Sequence, residues 1–174
     1  LLESWNHGQT WLPLELTFES SMERKIHHIS PHHLVPGSFL VATDLGVFKT
    51  SNGGQSFDLV LPGLARDVLW MSDTVAVAAL ENNGIHRSSD SGVTWEAVEL
   101  PASQSLGRIQ LAAATWGEDN VRDTLYAVAG HYFQQSFLGF WQSTDAGMTW
   151  TAMATSDTGP NLLGYTISGA DNGG

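Results

Sequence analysis

The sequence predicts an all-β chain of repeated four-stranded units, and three observations predict it. One eight-residue pattern recurs four times: SWNHGQTW at 4–11, TSNGGQSF at 50–57, SSDSGVTW at 88–95 and STDAGMTW at 143–150. Short apolar or alternating runs, each bounded by Gly, Pro, Asn or Asp, fill the intervals between copies. The composition suits strands and turns: 18 of 174 residues are Gly and 7 are Trp, while only 14% are charged. The Asx positions of the pattern, Asn6, Asn52, Asp90 and Asp145, lie 46, 38 and 55 residues apart. A period of about 40–50 residues holding four short strands is that of a β-propeller blade. The expectation is therefore three full blades with partial blades at both ends.

Each element follows in order. Residues 1–16 read as the last two strands of one blade, around the first octapeptide. The blade at 23–61 has strands ERKIHHIS, SFLVATD, GVFKTS and SFDLVL, with PHHLVPG as its first turn. The blade at 65–100 repeats the order more tightly as ARDVLWM, TVAVAAL, GIHRSS and TWEAVEL. The blade at 108–154 is longer, with a loop TWGEDNVRD after its first strand and HYFQQS after its second. Residues 155–174 read as the start of a further blade. A ring closes with about four to eight blades, so the remainder of the propeller is expected outside this chain.

The pattern has a physical basis. Asp or Asn at the head of a tight hairpin accepts hydrogen bonds from the turn's own N–H groups. Gly two positions on (Gly8, Gly54, Gly92, Gly147) supplies the positive φ of a type I turn with a following bulge. The flanking hydroxyls tie the arms together. The closing aromatic (Trp11, Phe57, Trp95, Trp150) packs beneath. In an up-and-down blade these third-to-fourth-strand turns share a face with the first-to-second turns. The opposite face carries the second-to-third turns and the crossings between blades, and a ligand site is expected there.

Composition bounds the partners. The net charge is −11 with only two lysines, Lys25 and Lys49, so nucleic acid and anionic membranes are poor candidates. No apolar run approaches the length of a membrane span. Cysteine is absent, which removes disulfides and thiolate metal sites.

Candidate functional residues are those that break the repeat. The insertion GHYFQQSFLG carries His131, Tyr132, Phe133 and Phe137 on the expected functional face. Its aromatics first suit covering the neighbouring blade's core, and otherwise stacking on a sugar or anchoring a protein partner. The Gly- and Asn-rich segment 156–174 holds Tyr165, Asp157 and Asp171, which could face a central pocket. In HHISPHH, a strand puts His27 and His28 on opposite faces and a turn separates His32 and His33. No metal set is expected from them. The loop with Glu118, Asp119, Asn120 and Asp123 could hold calcium through oxygen atoms. It lacks the spacing of a calcium-binding helix–loop–helix and reads first as a solvated loop, so no cofactor is expected. Asp44, at a second-to-third turn, is a candidate carboxylate for glycoside hydrolysis, which needs two facing carboxyl groups. Asp-Leu-Gly there also suits an ordinary hairpin.

The octapeptide resembles the Asp-box of BNR-type propellers, found in sialidases, xyloglucan-cleaving glycosidases, sortilin-type receptors and photosystem II assembly factors. The resemblance implies a structural role for the box. The arginine triad and Arg-Ile-Pro segment of sialidases are not visible here. From TLYAVAG through FWQSTDAGMTW to NLLGY and DNGG, the chain is similar to large secreted propeller proteins of Bacteroidetes. That likeness implies a secreted or cell-surface bacterial protein. The function expected is a non-enzymatic binding or scaffold module for a protein or glycan ligand. The alternative is a glycoside hydrolase acting on extracellular polysaccharide.

Overall fold

The computed structural model describes residues 2–4, 6–13, 25–101, 106–114, 123–133 and 136–156. Asp157, Tyr165 and Asp171, and Glu118, Asp119 and Asn120 of the acidic loop, lie outside the described residues. Among those described there is no helix. A two-stranded ribbon, β1 (Leu2–Glu3) and β2 (Leu12–Pro13), flanks the first octapeptide. Three four-stranded antiparallel sheets follow, each in simple up-and-down order. The first comprises β3 (Ile26–Pro31), β4 (Phe39–Thr43), β5 (Gly46–Thr50) and β6 (Asp58–Pro62). The second comprises β7 (Ala65–Trp70), β8 (Ala76–Leu80), β9 (Gly84–Ser88) and β10 (Glu96–Val98). The third comprises β11 (Leu106–Ala114), β12 (Thr124–His131), β13 (Phe137–Ser143) and β14 (Thr151–Thr155).

The core lies between the sheets. Strand β8 is AVAAL, with every residue buried, because both of its faces are covered. Ala76, Ala78 and Leu80 pack with Leu40, Ala42 and Val47 of the first sheet. Val77 and Ala79 point the other way, onto Ile109, Leu125, Ala127 and Trp141 of the third. A strand buried on two faces loses the polar half of its alternation, which is why β8 reads as a continuous apolar run. Small alanines let the sheets approach closely. The fourth strands β6, β10 and β14 are largely exposed, while the first strand β7 lies against both β3 and β11. First strands are therefore inner and fourth strands outer.

All four octapeptides close by the same network. In the third copy the Ser88 hydroxyl donates to Asp90 Oδ1 at 2.8 Å and accepts from the Gly92 N–H at 2.9 Å. Asp90 Oδ1 accepts from the Thr94 N–H at 2.8 Å, and its Oδ2 accepts from the Thr94 hydroxyl at 2.6 Å. The fourth copy repeats these bonds through Ser143, Asp145, Gly147 and Thr149. Asn6 and Asn52 accept the same N–H bonds, and their side-chain amides donate to Thr10 and Ser56. One detail differs from the expected turn. Both central residues, not the glycine alone, have positive φ: His7 and Gly8, Gly53 and Gly54, Ser91 and Gly92, Ala146 and Gly147. Two successive left-handed residues are the requirement of a primed turn, whose twist matches the flanking strands. At Gly147 a side chain is also excluded by space, since a Cβ would come within 2.8 Å of Val77.

Hydrogen bonds assign the two faces. In the three four-stranded sheets the residue before the turn glycine donates its N–H to the first-to-second loop of its own sheet: Gly53 to Gly37, Ser91 to Thr74, Ala146 to Asp123. Cations tie each sheet to the next on this same face, with Lys49 Nζ donating to the Ser91 carbonyl at 2.7 Å and Arg87 Nε to the Ala146 carbonyl at 3.0 Å. On the opposite face the crossings meet the second-to-third turns, Gly63 N–H donating to the Leu45 carbonyl and Glu81 N–H to the Leu64 carbonyl, each at 2.8 Å.

The Asp90 carboxyl is held well below the usual range, first by the Thr94 hydroxyl and N–H, then by Ser88. At Asp145 burial pushes the pKa up, but the bonds from Thr149 and Ser143 outweigh it and the net shift is downward. A depressed carboxyl contributes stability above its unfolded pKa and sheds it as pH falls through the folded value. The double variant Asp90→Asn, Asp145→Asn should therefore fold, as Asn6 and Asn52 show, and lose less stability than wild type below about pH 4. Asn52→Ala, which deletes the acceptor, should cost about 1–2 kcal/mol. Urea unfolding across pH measures both.

Candidate functional site

Antiparallel first strands are not regular here, and their irregularity builds the site. Each inner strand bulges near its start, on the crossing face: between Ile26 and His28 in β3, between Ala65 and Asp67 in β7, and between Leu106 and Ile109 in β11. The extra residues include His27, Arg66 and Arg108. A bulge re-aims a side chain out of the ladder, and here all three are basic. Arg66 Nη1 contacts His27 Nε2 at 3.1 Å, and Arg66 Nε pairs with Glu81. His27 is pushed below its usual pKa by burial and then by the charges of Arg66 and Arg108. A net charge of −11 thus coexists with a local basic cluster at the inner end of the crossing face.

Beside this cluster lies a cleft of about 400 Å³ between the second and third sheets. Arg66, Glu81, Arg108, Gln110, His131 and Tyr132 line it. Gly107 brings the β12–β13 turn against the start of β11, since a Cβ there would lie 3.0 Å from the Tyr132 backbone and 2.9 Å from the Gly130 carbonyl. Phe133 donates its N–H to His131 Nδ1 at 3.3 Å, which orients the imidazole. The Tyr132 and Phe133 rings meet edge to face at 4.9 Å. Phe133 is 77% exposed and Tyr132 39%, whereas Phe137 is buried at 2%. Phe137 begins β13 and offers no ring to a ligand, because the start of that strand is enclosed on both faces, with Phe137, Leu138 and Gly139 all buried.

Asp67 fixes the cleft floor. Only 2% exposed, it accepts through Oδ1 from the Val68 N–H at 2.9 Å and pairs with His28 Nδ1 at 2.8 Å. Its Oδ2 accepts from Gln110 Nε2 at 2.8 Å and from the Leu111 N–H at 2.9 Å. One carboxylate therefore joins all three inner strands. Gln110 in turn accepts from Arg108 Nη2 at 2.8 Å.

Among the described residues no three His, Asp or Glu side chains converge to hold a metal. The four histidines of HHISPHH have separate partners: Arg66 for His27, Asp67 for His28, the Asp73 carbonyl for His32 and the Asp73 carboxylate for His33. Asp44 sits at the second-to-third turn of the first sheet with Oδ1 buried, away from the cleft lining. Sequence reading singled out His131, Tyr132 and Phe133 but missed Arg66, Asp67, Gly107, Arg108 and Gln110. Aligning the three first strands would have exposed part of this, because KIHH, LARD and LGRI each carry a basic residue at the same place.

His28 is raised above its usual pKa by its hydrogen bond to Asp67, against burial, which opposes it. A base with a raised folded pKa contributes stability in full below its unfolded value and loses it as pH climbs through the folded one. His27 and His86, lowered chiefly by burial, act in the opposite sense, so wild type alone is not the comparison. The stability lost in His28→Gln should be greater at about pH 5.5 than at about pH 8.5, by denaturant titration.

No protein-family model and no curated protein matches the sequence. Solved structures do match in fold. One is an ancestral GH74 enzyme, at 15% identity and a TM-score of 0.59, covering 79% of this chain and 19% of that one. Another is the GH74 xyloglucanase from Xanthomonas campestris, at 14% identity and a TM-score of 0.52, covering 78% and 24%. A third is YCF48 from Cyanidioschyzon merolae, at 16% identity and a TM-score of 0.52, covering 80% and 40%. The chain thus spans between about a fifth and two-fifths of the length of these proteins. At such identities the likeness is one of fold: the three sheets are blades of a partial β-propeller.

Proposed function

We propose that this chain is part of an Asp-box β-propeller that acts as a binding module of a secreted or cell-surface bacterial protein. Its ligand, a glycan or a protein, occupies the cleft between the second and third blades. Further blades outside these residues complete the ring. The observation that carries the reading is the division of labour between the two faces. On one face the polar groups of the octapeptide turns are consumed in their own closure and in tying blade to blade. On the other, Arg108, Gln110, His131 and Tyr132 surround a cleft of about 400 Å³, within the usual size of a ligand pocket.

The likeness of TLYAVAG and FWQSTDAGMTW to secreted Bacteroidetes propellers supports an extracellular setting. The state of the carboxylates favours binding over glycoside hydrolysis. A retaining or inverting mechanism needs two carboxyl groups disposed about the scissile bond. At this cleft Glu81 is paired with Arg66, and Asp67 is buried with its oxygens engaged by Val68 of its own strand and by His28, Gln110 and Leu111 of the neighbouring ones.

A glycan array, together with digestion of plant and bacterial polysaccharides by the intact protein, tests the reading. Ligand retention should be lost in Arg108→Gln and Tyr132→Ala and kept in Asp90→Asn. Release of reducing sugar that disappears in Glu81→Gln would instead establish a hydrolase. Loss of binding in a folded Asp90→Asn would move the site to the turn face.

A further inference from the structure

The chemistry of the cleft is more specific than its location, and the key is the charge on its lining that no described carboxylate matches. Arg66 is spoken for, since its Nε pairs with Glu81 and its Nη1 contacts His27. Arg108 is different: among the described residues it has no carboxylate partner, and its side chain is exposed. Among the described residues its one hydrogen bond runs from Nη2 to Gln110 Oε1 at 2.8 Å, and no described group takes the remaining N–H edges of the guanidinium. The bond also holds the group in place. Gln110 is itself fixed by its amide bond to buried Asp67, so the chain Asp67–Gln110–Arg108 presents a pre-oriented guanidinium at the cleft wall. Such a group recognises a carboxylate through two parallel N–H bonds.

The second element is apolar. Gly107 seats the Tyr132 backbone against the start of β11, adjacent to Arg108. Tyr132, on the cleft lining, and Phe133 beside it then present an aromatic step, the latter 77% exposed. The C–H face of a pyranose is apolar, with slightly positive hydrogens, and complements the negative face of an aromatic ring. A peptide strand would need unpaired backbone groups along the wall. Here β12 is paired on both sides, Val128 standing opposite both Gln110 and Phe140. The wall offers side-chain groups instead, the amide of Gln110, the imidazole of His131 and the phenol of Tyr132, which suit hydroxyls.

We infer that the cleft takes an acidic sugar of the hexuronate class, its ring on Tyr132 and Phe133 and its carboxylate on Arg108. This rests on the reading of the cleft as a ligand seat, and it adds the ligand. Gln110 and Gly107 act as positioning residues, the first through Arg108 and the second through Tyr132.

Fluorescence anisotropy on the whole protein with labelled oligogalacturonate tests it, beside the same oligomer reduced at its carboxyl groups and an acidic peptide of equal charge. Oligogalacturonate should bind, and the carboxyl-reduced form should bind at least about tenfold more weakly. Arg108→Gln and Tyr132→Ala should each cost about tenfold or more in affinity for the acidic oligomer. Binding should weaken with added salt for wild type and far less for Arg108→Gln. Arg108 is exposed and Tyr132 is 39% exposed, and unchanged thermal midpoints confirm that the variants fold. Equal binding of the carboxyl-reduced oligomer would overturn the acidic ligand while leaving the cleft as a sugar seat. Arg108-dependent binding of the peptide without the uronate would overturn it in favour of a protein partner. Failure of the uronate in a protein that still retains other glycans on an array would overturn it and spare the binding-module reading.

Discussion

The geometry of this molecule depends on one buried carboxylate. Asp67 stands in the first strand of the middle blade and reaches both neighbouring first strands, through His28 on one side and Gln110 and Leu111 on the other. A charge at 2% exposure is tolerated only when its oxygens are fully engaged, and here four groups engage them. Apolar packing between sheets is strong but slides easily, because small residues such as those of AVAAL make smooth surfaces. The carboxylate is directional. It links three inner strands whose bulged residues, His27, Arg66 and Arg108, lie on the same face.

The two ends of the blades solve different problems. At one end, turns and loops are cross-linked within each blade by backbone bonds and between blades by Lys49 and Arg87. Those cations sit on carbonyl groups, so they bind the framework without creating an anion site. At the other end the inner strands are interrupted by bulges, and the basic side chains there meet partners of graded strength. Arg66 is neutralised by Glu81, while Arg108 is steadied by a neutral amide. A rigid end and a chemically open end follow from the same repeat.

Much of the architecture was legible because it is local. An octapeptide with a hydroxyl, an Asx residue, a glycine, a second hydroxyl and an aromatic at set places contains every partner its turn needs, as the bonds of Ser88, Asp90, Gly92 and Thr94 show. Strand order follows from four apolar runs per repeat, and the face of each turn follows from the up-and-down order. The aromatic turn at 131–133 was legible as a departure from the repeat. Phe137 was not separable from it in one dimension, since only the enclosure of the start of β13 on both faces buries it.

The sequence by itself determined the all-β class, the four recurrent turns, the order of strands in each blade and the face on which function was to be sought. These depend on contacts within a few residues of one another. Tertiary structure alone decided the site. Asp67 and Gln110 are 43 residues apart, Arg66 and His27 are 39 apart, and nothing in either neighbourhood announces its partner. The bulges that aim Arg66 and Arg108 exist only in the pairing of one strand with the next. Whether a surrounding charge is matched depends on what long-range packing places beside it, and that is why Arg66 and Arg108, alike in sequence, differ in their partners.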